Sequence, residues 1–125
     1  GVLMKPYLID HTENYEGNVV KEYSSSEYGT LLTKEEAETM QNFMKTVVQE
    51  GTGRKLKGQS YTAAGKTGSA EYSDADDSSH AWFVGYAHRD DKTDIALAVV
   101  VEGAGAGSTY AVPAAKQIFD AYYSN

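Results

Sequence analysis

The chain has 125 residues, of which 41% are hydrophobic, 11% aromatic and 23% charged, and its 18 acids against 11 bases leave a net charge of −7. That is the composition of a folded, soluble protein long enough to bury a core, and its negative charge repels nucleic acid and anionic membrane, so neither is expected as a partner. There is no cysteine, which removes disulfides and thiolate chemistry, and the longest apolar run, 95–101, is too short to span a bilayer.

In chain order, residues 2–10 and 18–23 are rich in β-branched and aromatic side chains and flank a polar stretch with Asn14 and Gly17. This predicts a strand pair, with Pro6 at an edge or bulge. The opening Gly1-Val2-Leu3-Met4-Lys5-Pro6 reads as the inside of a strand, as expected of a piece excised from a longer protein. Thr33-Lys34-Glu35-Glu36 is a capping-box signature, and Ala37, Met40, Phe43, Met44, Val47 and Val48 then recur at helical spacing until Gly51. Burying that stripe, at about 1.5–3 kcal/mol for each large side chain, would dock the helix on a sheet.

Residues 51–58, GTGRKLKG, read as a loop and 61–72 as a strand. The acidic stretch Asp74-Ala75-Asp76-Asp77 lacks the glycine and terminal glutamate of a calcium loop and reads as a solvated connection. Residues 80–88 and 94–102 flank a short polar segment and predict a hairpin, the second strand central and covered on both faces because it is apolar at nearly every position. GAGAG is read as a flexible turn, and Pro113 as the first turn of a closing helix with Val112, Ala115, Ile118, Phe119 and Tyr122 on one face. The order predicts an α+β fold, an antiparallel sheet with helices packed on one face, in a single unit spanning 1–125. A bare opposite sheet face would drive self-association.

The chemistry rests on residues 63–72, AAGKTGSAEY. A phosphate-binding loop is disfavoured: Ser60 stands where the motif needs its first glycine, and no helical period follows Thr67. An acyl-transfer wall fits better. There Lys66 is a fixed cation, Thr67 and Ser69 project to one side of a strand and can grip a carboxylate, and Gly68 leaves room for a ligand. On an edge strand, free backbone N–H groups can bond an extended peptide or a developing oxyanion.

AAGKTGSAE, followed by HAWFVGYA, ALAVVVEG and a Pro-containing final helix, resembles the C-terminal part of penicillin-binding protein transpeptidase domains, most like the class B enzymes. GVLMKPYLI and MKTVVQEGTG extend the resemblance over nearly the whole chain. That family carries S-x-x-K, S-x-N and K-[ST]-G, and only the third is here: no serine has lysine three places on or asparagine two places on. Thr52-x-x-Lys55 is the nearest look-alike and lies in the glycine-rich loop, without an expected catalytic role.

The resemblance implies that Lys66 supports serine hydroxyls outside this chain, that Thr67 and Ser69 hold a carboxylate beside Gly68, and that the Ser69 N–H forms half of an oxyanion hole. It implies a peptidoglycan D,D-transpeptidase at the extracytoplasmic face of the bacterial membrane. Its partners would be a stem peptide ending in D-alanyl-D-alanine, β-lactams and the rest of the transpeptidase domain, and it would use no cofactor or metal. The chain alone is expected to be inactive, since it lacks the nucleophile. A serine β-lactamase or sensor domain shares the lysine motif, and a noncatalytic peptide-binding module remains an alternative. His11, His80 and His88 are dispersed and read as structural or surface residues, Trp82 and Phe83 as sheet and core, and Glu71 as an exposed acid.

Overall fold

A computed structural model describes residues 1–72 and 79–124, so the acidic stretch 74–77 lies outside the described residues. The chain divides into two compact units, Gly1–Thr39 and Met40–Asn125. In the first unit, the expected pairing of 2–10 with 18–23 is replaced by two antiparallel ribbons. Strand β1 (Val2–Met4) pairs with β4 (Glu27–Thr30), and β2 (His11–Glu13) with β3 (Val19–Glu22). The cause is local. Asn14 Oδ1 accepts the N–H groups of Glu16 and Asn18, each at 3.0 Å, and closes a tight hairpin that leaves β1 to find another partner. Pro6 falls just beyond β1, where no ladder donor is required. Among the described residues, none of the buried core comes from this unit.

Helix α1 (Lys34–Gln49) opens on the expected reciprocal cap: Glu36 N–H donates to Thr33 Oγ1 at 3.2 Å, and Thr33 N–H to Glu36 Oε2 at 2.8 Å. Its apolar stripe does not dock as a whole. Val48 is buried in the core, whereas Met40 and Phe43 are 52% and 63% exposed.

The second unit is built on an antiparallel sheet in the order β5 (Thr62–Glu71), β6 (Ser79–Arg89), β7 (Lys92–Val101), with helix α2 (Ala111–Tyr123) on one face. Residues directly across a ladder share a face. Thr67 pairs with Phe83 and Phe83 with Val99, so Ala63, Gly65, Thr67 and Ser69 line the face that carries Phe83, Leu97 and Val99. There Phe83 meets Phe119 of α2 edge-on, with centroids 6.5 Å apart, and Ala81, Ala87, Leu56, Val112 and Ala115 complete the packing. The Phe83 ring lies over the Gly65–Gly85 pair, where a Cβ on Gly65 would come within 2.6 Å of Cε2. Full burial of such side chains stabilises by about 1.5–3 kcal/mol each.

Three expectations are corrected here. Strand β7 is an edge strand, not a central one: Ile95, Leu97 and Val99 are partly buried against the α2 side, while Ala96, Ala98 and Val100 are exposed. Trp82, expected in the sheet core, stands on that same open face at 37% exposed. In α2 the buried face runs Val112, Ala115, Phe119, Tyr123, leaving Ile118 43% exposed. Tyr123 is drawn inward because its ring stacks on Tyr61 and its hydroxyl donates to the Ala87 carbonyl at 2.7 Å.

Candidate functional site

Residues 66–69 lie extended in β5, which among the described residues pairs with β6 alone in its sheet and presents its other edge unpaired. In an antiparallel ladder, alternate backbone groups on such an edge point away from the sheet. Side-chain alternation separates the motif. Lys66 and Gly68 share the open face with Val84 and Trp82, while Thr67 and Ser69 share the face with Phe83 and Ala81. Lys66 is exposed and its Nζ donates to the Thr67 carbonyl at 2.6 Å, which holds the ammonium at the strand.

Thr67 and Ser69 thus project to one side, as alternation predicted, but their surroundings differ. Ser69 is exposed; Thr67 is only 9% exposed, and its Oγ1 lies 2.6 Å from Thr52 Oγ1. A hydroxyl has one donor and two acceptor sites, so a bond accepted from Thr52 leaves the Thr67 proton available to an anion. Thr52 stands near the start of the 51–58 segment beside Thr67, and that segment and the one before α2 wall a cavity of about 250 Å³ lined by Thr52, Arg54, Lys55, Ser108 and Thr109.

The GAGAG segment, expected to be a flexible turn, is packed against the site. Gly107 is buried, and a Cβ there would strike the Trp82 carbonyl oxygen and come within 2.7 Å of the Gly68 carbonyl oxygen. Only glycine allows that approach, and it brings Ser108 and Thr109 up to the motif strand.

Thr52, Arg54, Lys55, Ser108 and Thr109 were not singled out as functional from the sequence. The one available signal was a pair of adjacent cations, Arg54-Lys55, in a glycine-rich loop of an acidic chain.

The histidines lie apart from the motif. His80 Nδ1 accepts the Gly103 N–H at 3.0 Å and its ring stacks on Tyr72, and His11 is bracketed by Asp10 and Glu13. His88 sits between Asp94 at 2.6 Å and Asp90 at 3.1 Å. Among the described residues, no group of three His, Cys, Asp or Glu is placed to hold a metal ion, and no helix is long and apolar enough to cross a membrane.

The site thus presents an exposed lysine, two hydroxyls and an open strand edge on a sheet backed on one face by α2. The family model of the penicillin-binding protein transpeptidase domain matches residues 1–121, and the chain belongs to that family. It is 32% identical over 128 residues to the peptidoglycan D,D-transpeptidase MrdA of Acinetobacter baumannii, covering 92% of this chain and 19% of that protein. To MrdA of Haemophilus influenzae it is 35% identical over 89 residues, 60% of this chain and 13% of that protein. The chain therefore spans less than a fifth of the length of these relatives.

Its fold is similar to the D,D-transpeptidase domain of a peptidoglycan glycosyltransferase from Eggerthella lenta, with a TM-score of 0.84 and 29% identity over 99% of this chain and 28% of that one. It is also similar in fold to penicillin-binding protein A of M. tuberculosis, solved as a ceftriaxone acyl-enzyme complex, with a TM-score of 0.83 and 21% identity over 98% and 29% of the two chains.

Proposed function

We propose that this chain is the C-terminal portion of the transpeptidase domain of a serine D,D-transpeptidase, which cross-links peptidoglycan stem peptides through an acyl-serine intermediate and is acylated by β-lactams. The observation that carries this reading is the placement of residues 66–69, K-T-G-S, on the unpaired edge of β5 in a chain of the penicillin-binding protein family. In this reading a peptide ending in D-alanyl-D-alanine lies along β5 as an added strand, and Gly68 leaves the space it needs. Lys66, on the open face, supports serine hydroxyls supplied by the rest of the domain. Thr67 and Ser69 take the substrate carboxylate, and the Ser69 N–H contributes to the oxyanion hole. No cofactor or metal enters the chemistry, and the intact enzyme works at the extracytoplasmic face of the bacterial membrane.

The chain by itself carries the wall of the cleft and not the nucleophile, so it is inert. Fluorescent penicillin tests both statements. The intact enzyme should be labelled at a serine outside residues 1–125, and Lys66→Ala should slow that labelling by about 10²-fold or more, the scale of losing one preorganised electrostatic contact. Covalent labelling of the 125-residue chain itself, or full-rate labelling of the Lys66→Ala enzyme, would contradict the assignment.

A further inference from the structure

A second cavity lies against the sheet face opposite α2, away from the K-T-G-S motif. The ladder pairs Thr62–His88 and Ala64–Tyr86 put Thr62, Tyr86 and His88 on that face, and Gln41 and Lys45, one turn apart on α1, stand over them. With Asp94 these residues line a space of about 350 Å³, all within the second unit, a volume in the small-ligand range of roughly 300–1,000 Å³. Among the described residues, the Tyr86 ring is the only apolar surface named in the lining.

Three groups in this cavity lack the partners their chemistry calls for. The Tyr86 hydroxyl is buried and, among the described residues, makes no hydrogen bond. Burial, and after it the charge of Asp94, holds this phenol above its ordinary pKa, so it keeps its proton and is a donor without an acceptor. Lys45 is half-buried and, among the described residues, its ammonium has neither a hydrogen bond nor an ion pair. Asp94 gives Oδ1 to His88 at 2.6 Å, and its Oδ2 has no partner among the described residues. His88 is shared with Asp90 at 3.1 Å, so one imidazole faces two carboxylates and this wall keeps an excess of negative charge. Lys45 and Asp94 therefore face one space without closing on each other.

We infer that this cavity binds a small zwitterion of the α-amino acid class, its carboxylate held between Lys45 and the Tyr86 hydroxyl and its ammonium on Asp94. Opposite charges held apart on two walls match a ligand that carries both, and a ligand with only one leaves the other wall unmet. The acceptor that Tyr86 lacks is then supplied by the ligand, and Thr62 and Gln41 add donors at the exposed margin. The site is independent of the transpeptidase reading, since none of residues 66–69 lines it.

The test is a two-dimensional NMR titration of the 125-residue chain with glycine, and with N-acetylglycine and glycinamide, each of which lacks one of the two charges. Glycine should give saturable shifts at the amides of Thr62, Tyr86 and His88, and either analogue should bind at least ~10-fold more weakly. Tyr86→Phe should also weaken glycine at least ~10-fold, the loss of one hydrogen bond to a charged group. Without ligand, its urea midpoint should equal or exceed that of the parent chain, because the hydroxyl removed had no partner. Lys34→Gln, at the far end of α1, should leave glycine binding unchanged. Absence of saturable glycine shifts at these residues overturns the site. N-acetylglycine or glycinamide binding as tightly as glycine overturns the zwitterion assignment, and a lowered urea midpoint in Tyr86→Phe overturns the role given to that hydroxyl.

Discussion

At the scale of single residues, partners set the chemistry more than residue type does. Thr67 and Ser69 look equivalent by alternation, yet Thr67 is nearly closed off and shares its hydroxyl with Thr52, while Ser69 is open. Replacing Thr52 by Val keeps the shape and removes the partner of a nearly buried hydroxyl. Unfolding by urea should show a loss of about 1–3 kcal/mol, the cost of leaving such a group unsatisfied. An unchanged urea midpoint would mean that the Thr67 hydroxyl finds another partner without loss.

His88 gives a second prediction. Its bond to Asp94, and after it the bond to Asp90, favours the imidazolium and raises its pKa above the ordinary 6.5. The folded state therefore binds this proton more tightly than the unfolded state. Its contribution to stability is complete below 6.5 and fades as the pH rises through the elevated folded value. An NMR titration of the His88 ring should show a midpoint above 6.5, and Asp94→Asn should bring it down.

At the scale of elements, the two helices are terminated by different physics. The start of α1 is local: Thr33 and Glu36 satisfy each other's backbone donors, and Thr33→Ala should cost about 1 kcal/mol and speed hydrogen exchange at the Glu36 amide. The end of α2 is tertiary. No basic residue lies in its last turn, and its free carbonyls are met from the β6–β7 hairpin: Arg89 Nη1 donates to the Tyr123 carbonyl and Lys92 Nζ to the Tyr122 carbonyl. The cations also complement the negative end of the helix dipole. Arg89→Gln should destabilise the chain by roughly 1.5–3 kcal/mol in urea unfolding, the range for charged hydrogen bonds. A hairpin linker that reads only as polar in the sequence thus acts as the helix cap.

At the scale of the whole molecule, α2 covers one face of the sheet, while on the other Ala64 is buried but the part around Lys66 is apolar and open. Trp82, Val84 and Val100 are 37%, 44% and 45% exposed there, a contiguous patch of the kind that buries itself against a second surface. The isolated chain should accordingly gain mass with concentration in sedimentation equilibrium. Val84→Lys together with Val100→Lys should return it to a monomer, and a concentration-independent monomer before mutation would show that the patch is tolerated in water. The same uncovered face explains why β7 misled the reading of its sequence. An unbroken apolar strand predicts cover on both faces, and the described residues supply it on one.

The alternation of β5, the α1 capping box, the β6–β7 hairpin and the K-T-G-S string were legible because each depends on neighbours a few residues away, through backbone periodicity and short-range hydrogen bonds. Hidden from the sequence were the pairing of β1 with β4, the inward turn of Tyr123, the Thr52–Thr67 contact and the approach of Gly107 to Gly68. These join residues from 15 to 62 positions apart, and which of them meet is decided by the close packing of the folded chain. Sequence alone determined where the edge strand and its lysine lie; tertiary structure decided what stands beside them, because a side chain's charge and hydrogen-bonding capacity become a site only when folding brings distant groups within bonding reach.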